Sequence, residues 1–457
     1  MTCLTFHITE KMLIYFNAYW IFSISGKDKM KNSVSSFIDL FSGCGGLSLG
    51  LEQAGFHPLL SCEINPSAAE TYIANRSHFD FFPVADIYNL TDRDLGHLLK
   101  YWEYKLGIKD IDLVCGGPPC QGYSGIGHRR TFKLAKKEIP SNHLYQEMIR
   151  VISKIKPKIF LFENVRGLLT SRWSPEGIKG EIFREVLGAF QKINGYIVKW
   201  DMVFAKDYGV PQNRPRVLLV GIRDDILSRY KNKKCKLLTE ESISALEEGF
   251  LPMPYGKPPG IKELLSDLVD PKYPKGSSDF YFSNAQNETQ EKLRITQSGK
   301  LMCKGDPLLD HAYSSHSEHI IKKFAHMIKN GGEIPDEFKT KKFAQRVLPE
   351  TWDENGPNIT AASLPDDFVH YSQPRSLTVR EWARIQGFPD WYIFRGPRTT
   401  GGRRRAGDPS IDDWSREVPK YTQIGNAVPV ELGRKLGFHF QNILNKNNNK
   451  DDIRLSS

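Results

Sequence analysis

From Phe37 to about Arg223 the chain alternates short apolar runs with segments of helical period. The runs are Phe37–Phe41, Leu59–Cys62, Ile111–Cys115, Ile159–Phe162 and Val217–Ile222. Each has strand length and few charges, as in strands buried on both faces. Between the third and fourth runs Leu144, Met148, Val151, Ile152 and Ile155 recur at helical spacing, which predicts a crossover helix lying over a sheet. Repeated βα units of this kind predict a doubly wound α/β domain with a mostly parallel sheet. After Arg223 the periodicity breaks at Pro252-Met253-Pro254, at Pro258-Pro259-Gly260 and along the polar stretch Lys275–Asn287. Ser376–Phe388 and Glu431–Leu444 read as helices again and lie close to Gly425-Asn426, so the C-terminal part is expected to rejoin the first domain. The expected layout is an N-terminal extension (1–33), an α/β domain (34–223), a second, smaller domain (224–374), the return (375–445) and an Asn-rich disordered tail (446–457).

Composition narrows the class. The 457 residues, 40% hydrophobic and 25% charged, suit a soluble globular chain of two or three packed units. Lys and Arg exceed Asp and Glu by 63 to 53, a net charge of +10, which fits a polyanionic partner without requiring one. Cys3, Cys44, Cys62, Cys115, Cys120, Cys235 and Cys303 include no CxxC pair. Neither a disulfide framework nor a metal site is therefore expected, and a reducing cytoplasmic location fits. The apolar stretch Met12–Ile24 is interrupted by Asn17 and is shorter than the roughly 20 residues that span a bilayer. It lacks the basic flank and cleavage pattern of a signal peptide. The plainer reading is that residues 1–29 are a dispensable extension, with Met30 an alternative start.

Four segments carry candidate chemistry. Phe37-Ile38-Asp39-Leu40-Phe41-Ser42-Gly43-Cys44-Gly45-Gly46 runs a strand into a glycine-rich turn before a helix, which lets backbone approach a ligand closely. No Gly-Lys-Ser or Gly-Lys-Thr follows, and Ser48 stands where GxGxxG has its third glycine. Glu63, 20 positions after Gly43, ends the next strand, where a carboxylate accepts hydrogen bonds from ribose hydroxyls. This segment alone fits S-adenosylmethionine, a dinucleotide or a structural turn. Asp86-Ile87 adds a candidate contact to an adenine amino group, although a lone Asp is more often solvated.

The second segment, Asp112-Leu113-Val114-Cys115-Gly116-Gly117-Pro118-Pro119-Cys120-Gln121-Gly122-Tyr123-Ser124, sets a cysteine after two prolines beyond a strand. Open α/β sheets bind ligands at that edge. A structural cysteine would sit inside an element, whereas this one is presented on a fixed loop, as a nucleophile is. In the third, Lys158-Ile159-Phe160-Leu161-Phe162-Glu163-Asn164-Val165, a buried run ends in a carboxylate at the same edge. Glu163 reads either as a surface cap or as a proton donor to a ring nitrogen, held in a partly apolar pocket that raises its pKa. The fourth, Gln212-Asn213-Arg214-Pro215-Arg216, sets two guanidinium groups on one side of a strand entrance. There they are either surface groups or ligands for a phosphate or a base carbonyl.

Taken together and in order, these segments resemble the cytosine-5 DNA methyltransferase family over about Phe37–Arg223 and Arg375–Leu436. Two further blocks are similar to that family's: Arg375-Ser376-Leu377-Thr378-Val379-Arg380-Glu381 through Gln386-Gly387-Phe388-Pro389, and Gln423-Ile424-Gly425-Asn426-Ala427-Val428-Pro429. The resemblance implies a Rossmann-like S-adenosylmethionine-dependent fold. It also implies a cofactor site of Asp39, Leu40, Phe41, Gly43, Gly45, Gly46, Glu63, Ile64, Asp86, Ile87, Pro118, Leu144, Asn426 and Ala427. One block departs: where the family has Arg-Gly-x-Leu-Phe, this chain has Ser141-Asn142-His143-Leu144-Tyr145, so Leu144 is assigned less directly. The catalytic set implied is Cys120, Glu163, Arg214 and Arg216.

On that reading the Cys120 thiolate attacks C6 of a flipped-out cytosine, Glu163 serves N3, Arg216 holds the base carbonyl and Arg214 the nearby DNA backbone. The second domain takes the place of a target-recognition domain, and Gln121, Ser124, Arg395, Arg398, Arg403, Arg404 and Arg405 are expected DNA contacts. The arginine-rich loop has a plainer reading as a solvated loop. Double-stranded DNA is the expected partner, with the chain acting as a monomer and pairing in function with a restriction endonuclease. An RNA cytosine-5 methyltransferase is the alternative, since base chemistry does not reveal the sugar. A nicotinamide oxidoreductase or a non-catalytic DNA-binding protein would have no need of Cys120, Glu163 and Arg216 together.

Overall fold

The computed structural model describes residues 34–76, 81–119, 140–234, 244–271, 273, 279–339, 345–351, 356–360, 367–399 and 417–444. The N-terminal extension, the tail, Cys120, Gln121, Ser124, Arg403, Arg404 and Arg405 lie outside these. Among the described residues no helix is long and apolar enough to cross a membrane.

Seven strands form one sheet: β1 (Ser35–Leu40), β2 (Phe56–Cys62), β3 (Phe82–Val84), β4 (Leu113–Gly116), β5 (Ile159–Val165), β6 (Tyr196–Phe204) and β7 (Pro215–Arg223). Their order is β3-β2-β1-β4-β5-β7-β6, and β7 alone runs antiparallel to its neighbours β5 and β6. The α/β fold with its mostly parallel sheet is as the sequence predicts. The order reverses between β1 and β4, and such a switch point opens a crevice at the carboxyl ends of the strands. Alternate residues supply the two faces. Ile38, Leu40, Val114, Phe160 and Phe162 face one core with Trp102, Met148 and Phe190. Phe37, Leu113, Ile159 and Leu161 face the other with Leu51, Leu432 and Phe440. The crossover helix is Leu144–Ile155, as its spacing predicts. Strands β3 and β6 have no counterpart among the five runs named from sequence. Strand β6 is an edge strand with Ile197 outward and Lys199 and Asp201 among its residues, so it shows no continuous apolar run.

The expected boundary at 224 separates residues that the structure keeps together. Ile226, Leu227 and Tyr230 of helix Asp224–Lys234, followed by Ala245, Phe250 and Leu251, are buried in the second core against the sheet. Most of the described apolar residues from there to 374 share a core with the C-terminal return. Ile261, Leu264, Leu265, Tyr281, Leu308 and Ile359 pack in one cluster with Trp382, Phe388, Tyr392 and Ile424, and with Cys44 and Leu49 of the α/β domain. Only Phe324, Met327 and Val369 form a separate small cluster among the described residues.

The C-terminal return is built on glycines. Helix Val430–Ile443 lies so close to helix Gly46–Gln53 that a Cβ on Gly50 would meet the Val430 carbonyl oxygen at 2.3 Å and the Arg434 nitrogen at 2.5 Å. Backbone atoms have no rotamer with which to yield, so Gly50→Ala is expected to destabilise the chain by about 1–3 kcal/mol. A urea titration checks this, and an unchanged midpoint would refute the close packing.

The charged residues of helix Val379–Ile385 are buried with the rest of it. Arg375 meets Glu381 through both ends of its fork, at 2.7 and 2.6 Å. Arg384 bridges Asp267 at 2.6 Å and Asp390 at 2.6 Å, and Arg294 reaches Asp267 at 2.6 Å. Two imidazoles share this interior. Burial lowers His311 from 6.5 to about 4 and His370 to about 3, with Arg375 reinforcing both and Glu381 opposing. Both rings are neutral when folded and take up protons on unfolding below about pH 6.5. Their contribution is therefore complete above that pH and declines as pH falls towards 4, by up to about 1.4 kcal/mol per pH unit for each ring. Urea midpoints at pH 7, 6 and 5 should fall accordingly. His370→Asn keeps an acceptor for the Ser372 and Gln373 amides that Nδ1 now serves, and should make the fall shallower.

Candidate active site

Strand β1 ends in a tight reversal. Phe41 has φ 61°, Gly43 55° and Gly45 84°, left-handed values that favour glycine at the latter two positions. The turn is tied to the end of β2, because the Gly43 amide donates to Glu63 Oε2 at 2.9 Å and the Asn65 amide to Oε1 at 2.7 Å. Burial nevertheless raises the Glu63 pKa. Gly43 has open space where a Cβ would stand, and Ile64 beside Glu63 is 69% exposed. The Asp86 side chain caps the short helix Ile87–Asn89 through the Tyr88 amide at 3.0 Å, and Ile87 is buried. Leu144, half-buried, opens the crossover helix. Asn426 is exposed at the end of helix Lys420–Asn426, and Ala427 is buried.

Asp39 and Leu40 turn inward. Leu40 is in the core, and Asp39 accepts from Ser48, whose hydroxyl also meets that of Tyr72 at 2.8 Å. Burial raises Asp39 to about 7, against the Ser48 hydrogen bond. Asp39 therefore supports the turn from behind.

At the ends of β4 and β5 the chemistry changes. Residues paired across a sheet share a face; Val165 pairs with Arg216 and Glu163 lies two residues earlier, so Glu163 and Arg216 are diagonal neighbours. Arg216 Nε lies 2.5 Å from Glu163 Oε1. The partly apolar pocket expected for Glu163 is thus corrected: a guanidinium adjoins it. Gly117 makes room for this carboxylate, since a Cβ there would meet Glu163 Oε2 at 2.7 Å. Asn164, buried, donates to the carbonyl of Pro118 at 3.2 Å, and so ties β5 to the loop two residues before Cys120. Its signal lay within the Glu-Asn-Val block, but its role was not read there.

Arg214 is placed differently from its sequence reading. Its guanidinium is buried and donates to the carbonyls of Ile359, Gly425 (2.8 Å) and Ala427 (3.0 Å). Desolvation, reinforced by Arg216, lowers its pKa well below the ordinary arginine value. It holds the C-terminal return against the entrance of β7. Of the expected DNA contacts described, Arg395 is exposed, whereas Arg398 is half-buried and donates to Ser314 Oγ at 2.7 Å and the Tyr313 carbonyl at 3.3 Å.

The sequence model of the C-5 cytosine-specific DNA methylase family matches residues 35–442. The chain belongs to that family. The chain is 31% identical to a Type II methyltransferase, M.DdeI, of Desulfomicrobium norvegicum, over 89% of this chain and 90% of that one. It is also 31% identical to M.XorII of Xanthomonas oryzae pv. oryzae, another Type II methyltransferase, over 92% and 87%. The fold matches that of a prophage-encoded E. coli protein described as a DNA modification methyltransferase, with TM-score 0.58 at 24% identity over 90% of this chain and 99% of that one.

Proposed function

We propose that the chain transfers a methyl group from S-adenosylmethionine to C5 of a cytosine within a specific double-stranded DNA sequence, through a covalent bond from Cys120 to C6. The observation that carries the reading is the Glu163–Arg216 pair on the same sheet edge as the loop leading to Cys120. The cofactor fits the residues present. Phe41, Gly43, Glu63 and Ile64 follow the ends of β1 and β2, and Asp86 and Ile87 follow β3, Pro118 follows β4, Leu144 opens the crossover helix and Asn426 closes helix Lys420–Asn426. When bound, S-adenosylmethionine supplies an electrophilic methyl group.

The chain's own residues do the rest. The Cys120 sulfur forms a bond to C6 while Glu163 serves N3, so electron density moves to C5, which is otherwise too weak a nucleophile. Arg216 holds Glu163 in place and presents its remaining N–H groups to the base carbonyl. Once C5 carries the methyl group it gives up its proton to solvent, the C5–C6 double bond re-forms, and the C6–S bond breaks by β-elimination to free the Cys120 thiolate. The base must leave the duplex to reach this edge. Arg214 acts as a positioning residue.

The family and the Type II relatives support DNA over RNA as substrate, and protection from a cognate restriction endonuclease as the role. Residues 252–374 and the arginine-rich loop 395–405 are the proposed recognition surface. Bisulfite sequencing of plasmid from cells expressing the chain tests the reading: one short sequence should be methylated at a single cytosine. Unmodified DNA from cells that contain the folded protein would refute it.

A further inference from the structure

Behind the glycine turn lies a cluster to which neither the sequence motifs nor the mechanism gives a role. Tyr392, fully buried, donates its hydroxyl to the carbonyl of Cys44 at 2.6 Å. Arg76, nine-tenths buried, donates to the carbonyl of Gly45 at 3.4 Å, to the Tyr392 hydroxyl at 3.2 Å and to the Tyr72 carbonyl at 3.0 Å. Its charge is met by Glu52 through two hydrogen bonds of 2.9 and 2.7 Å, and its guanidinium lies 3.7 Å from the centre of the Tyr72 ring. Gly45 sits in the pit that these side chains form: a Cβ there would meet Arg76 Nη1, the Tyr392 hydroxyl and Tyr72 Cδ2, each at 2.9 Å.

We infer that Tyr392 and Arg76 are positioning residues for the cofactor turn, which they hold by two successive carbonyls so that its opposite side is presented to S-adenosylmethionine. A trans peptide points its C=O and N–H in opposite directions. The Gly45 carbonyl is held by Arg76 on one side and by the Leu49 amide at 2.9 Å, which fixes the Gly46 N–H outward from the helix start. With Gly43 and Gly45 both at positive φ, the free turn has more conformations than an ordinary loop, and ordering it on binding would weaken affinity. The clamp removes that cost in advance. It is itself rigid, because Tyr392 is wedged between Phe388 and Phe394, with ring centres at 4.8 and 5.5 Å. The next residues are fastened to helix Pro66–Ala74 and its cap, Ile393 by the Asn75 side chain at 2.8 Å and Arg395 by Thr71 at 2.8 Å.

The inference rests on the proposed cofactor reading of the turn, and the test separates the two. Tyr392→Phe removes the hydroxyl and leaves the ring packing. Affinity for S-adenosylmethionine and for S-adenosylhomocysteine should fall about tenfold, by titration calorimetry on the full chain. The kcat at saturating cofactor and the KM for DNA should stay within twofold, and the Tm should be little changed. Arg76→Lys, which keeps the charge near Glu52 but loses the fork, should show the same split. Wild type that binds neither ligand overturns the cofactor reading and the inference with it. Wild type that binds while Tyr392→Phe binds equally well overturns the inference alone. Parallel losses in cofactor affinity, kcat, DNA affinity and Tm in both variants also overturn it, because they mark a general structural role.

Discussion

Cys120→Ser is expected to lower methyl transfer to less than about a thousandth of the wild-type rate while leaving S-adenosylmethionine binding intact. A serine hydroxyl is scarcely ionised at neutral pH and is a poorer nucleophile than a thiolate, and removal of a covalent nucleophile costs at least this much elsewhere. The residues proposed to hold the cofactor lie around Phe41, Glu63 and Asn426, at the ends of β1, β2 and helix Lys420–Asn426, and none of them is altered. DNA carrying 5-fluorocytosine at the target provides the sharper measurement. Fluorine cannot leave C5 as a proton, so elimination stalls after methyl transfer and the protein stays joined to the DNA. A denaturation-resistant complex should form with wild type and cofactor and not with the serine variant. A complex with the serine variant, or none with wild type, would exclude the role given to Cys120.

The second large effect is one of stability. Arg384 is fully buried and is the common partner of Asp267 and Asp390, with Nε to Asp390 Oδ1 at 2.9 Å and Nη1 to Asp267 Oδ1 at 2.6 Å. Arg384→Leu leaves the two carboxylates with less compensation in a site without water access, and breaking a buried pair in this way costs about 3–5 kcal/mol. Arg384→Lys should recover only part, since one ammonium cannot span both carboxylates as the planar fork does. Urea titration of the three proteins checks the order. A leucine variant as stable as wild type would mean that Arg294, which also reaches Asp267, suffices.

The glycine turn was legible because a turn that needs positive φ must spell itself in glycine, and a carboxylate ending an apolar run is conspicuous at Glu63 and Glu163; that Asp39 and Leu40 turn inward was not. The block Arg375–Pro389 was legible as a block but not as physics. Arg380, Glu381 and Arg384 carry full charges in a seven-residue helix, and no periodicity announces that such residues are buried; Arg375 beside Glu381, Asp310 near Arg380, and Asp267 and Asp390 on Arg384 make burial tolerable. For the same reason Arg214 read as a substrate ligand when its partners are carbonyls of residues 359, 425 and 427. The boundary at 224 was drawn at a change of pattern, but Ile226, Leu227 and Tyr230 continue the sheet's core past it. Tyr392 gave no signal beyond its place after Phe388, since its value lies in reaching the Cys44 carbonyl 348 positions earlier.

The glycine-lined contact between helices Gly46–Gln53 and Val430–Ile443 also sets a timetable. A ribosome adding about 5–20 residues per second finishes β7 at Arg223 and then needs roughly 10–45 s more to deliver residue 443. Throughout that interval Leu47, Leu51 and Phe56 lack the cover of Leu432, Leu436 and Phe440, with which they cluster in the finished chain. The turn at Gly45 lacks Tyr392 for about the first three-quarters of that interval. A chain that ends before Val430 therefore leaves that face without its last helix.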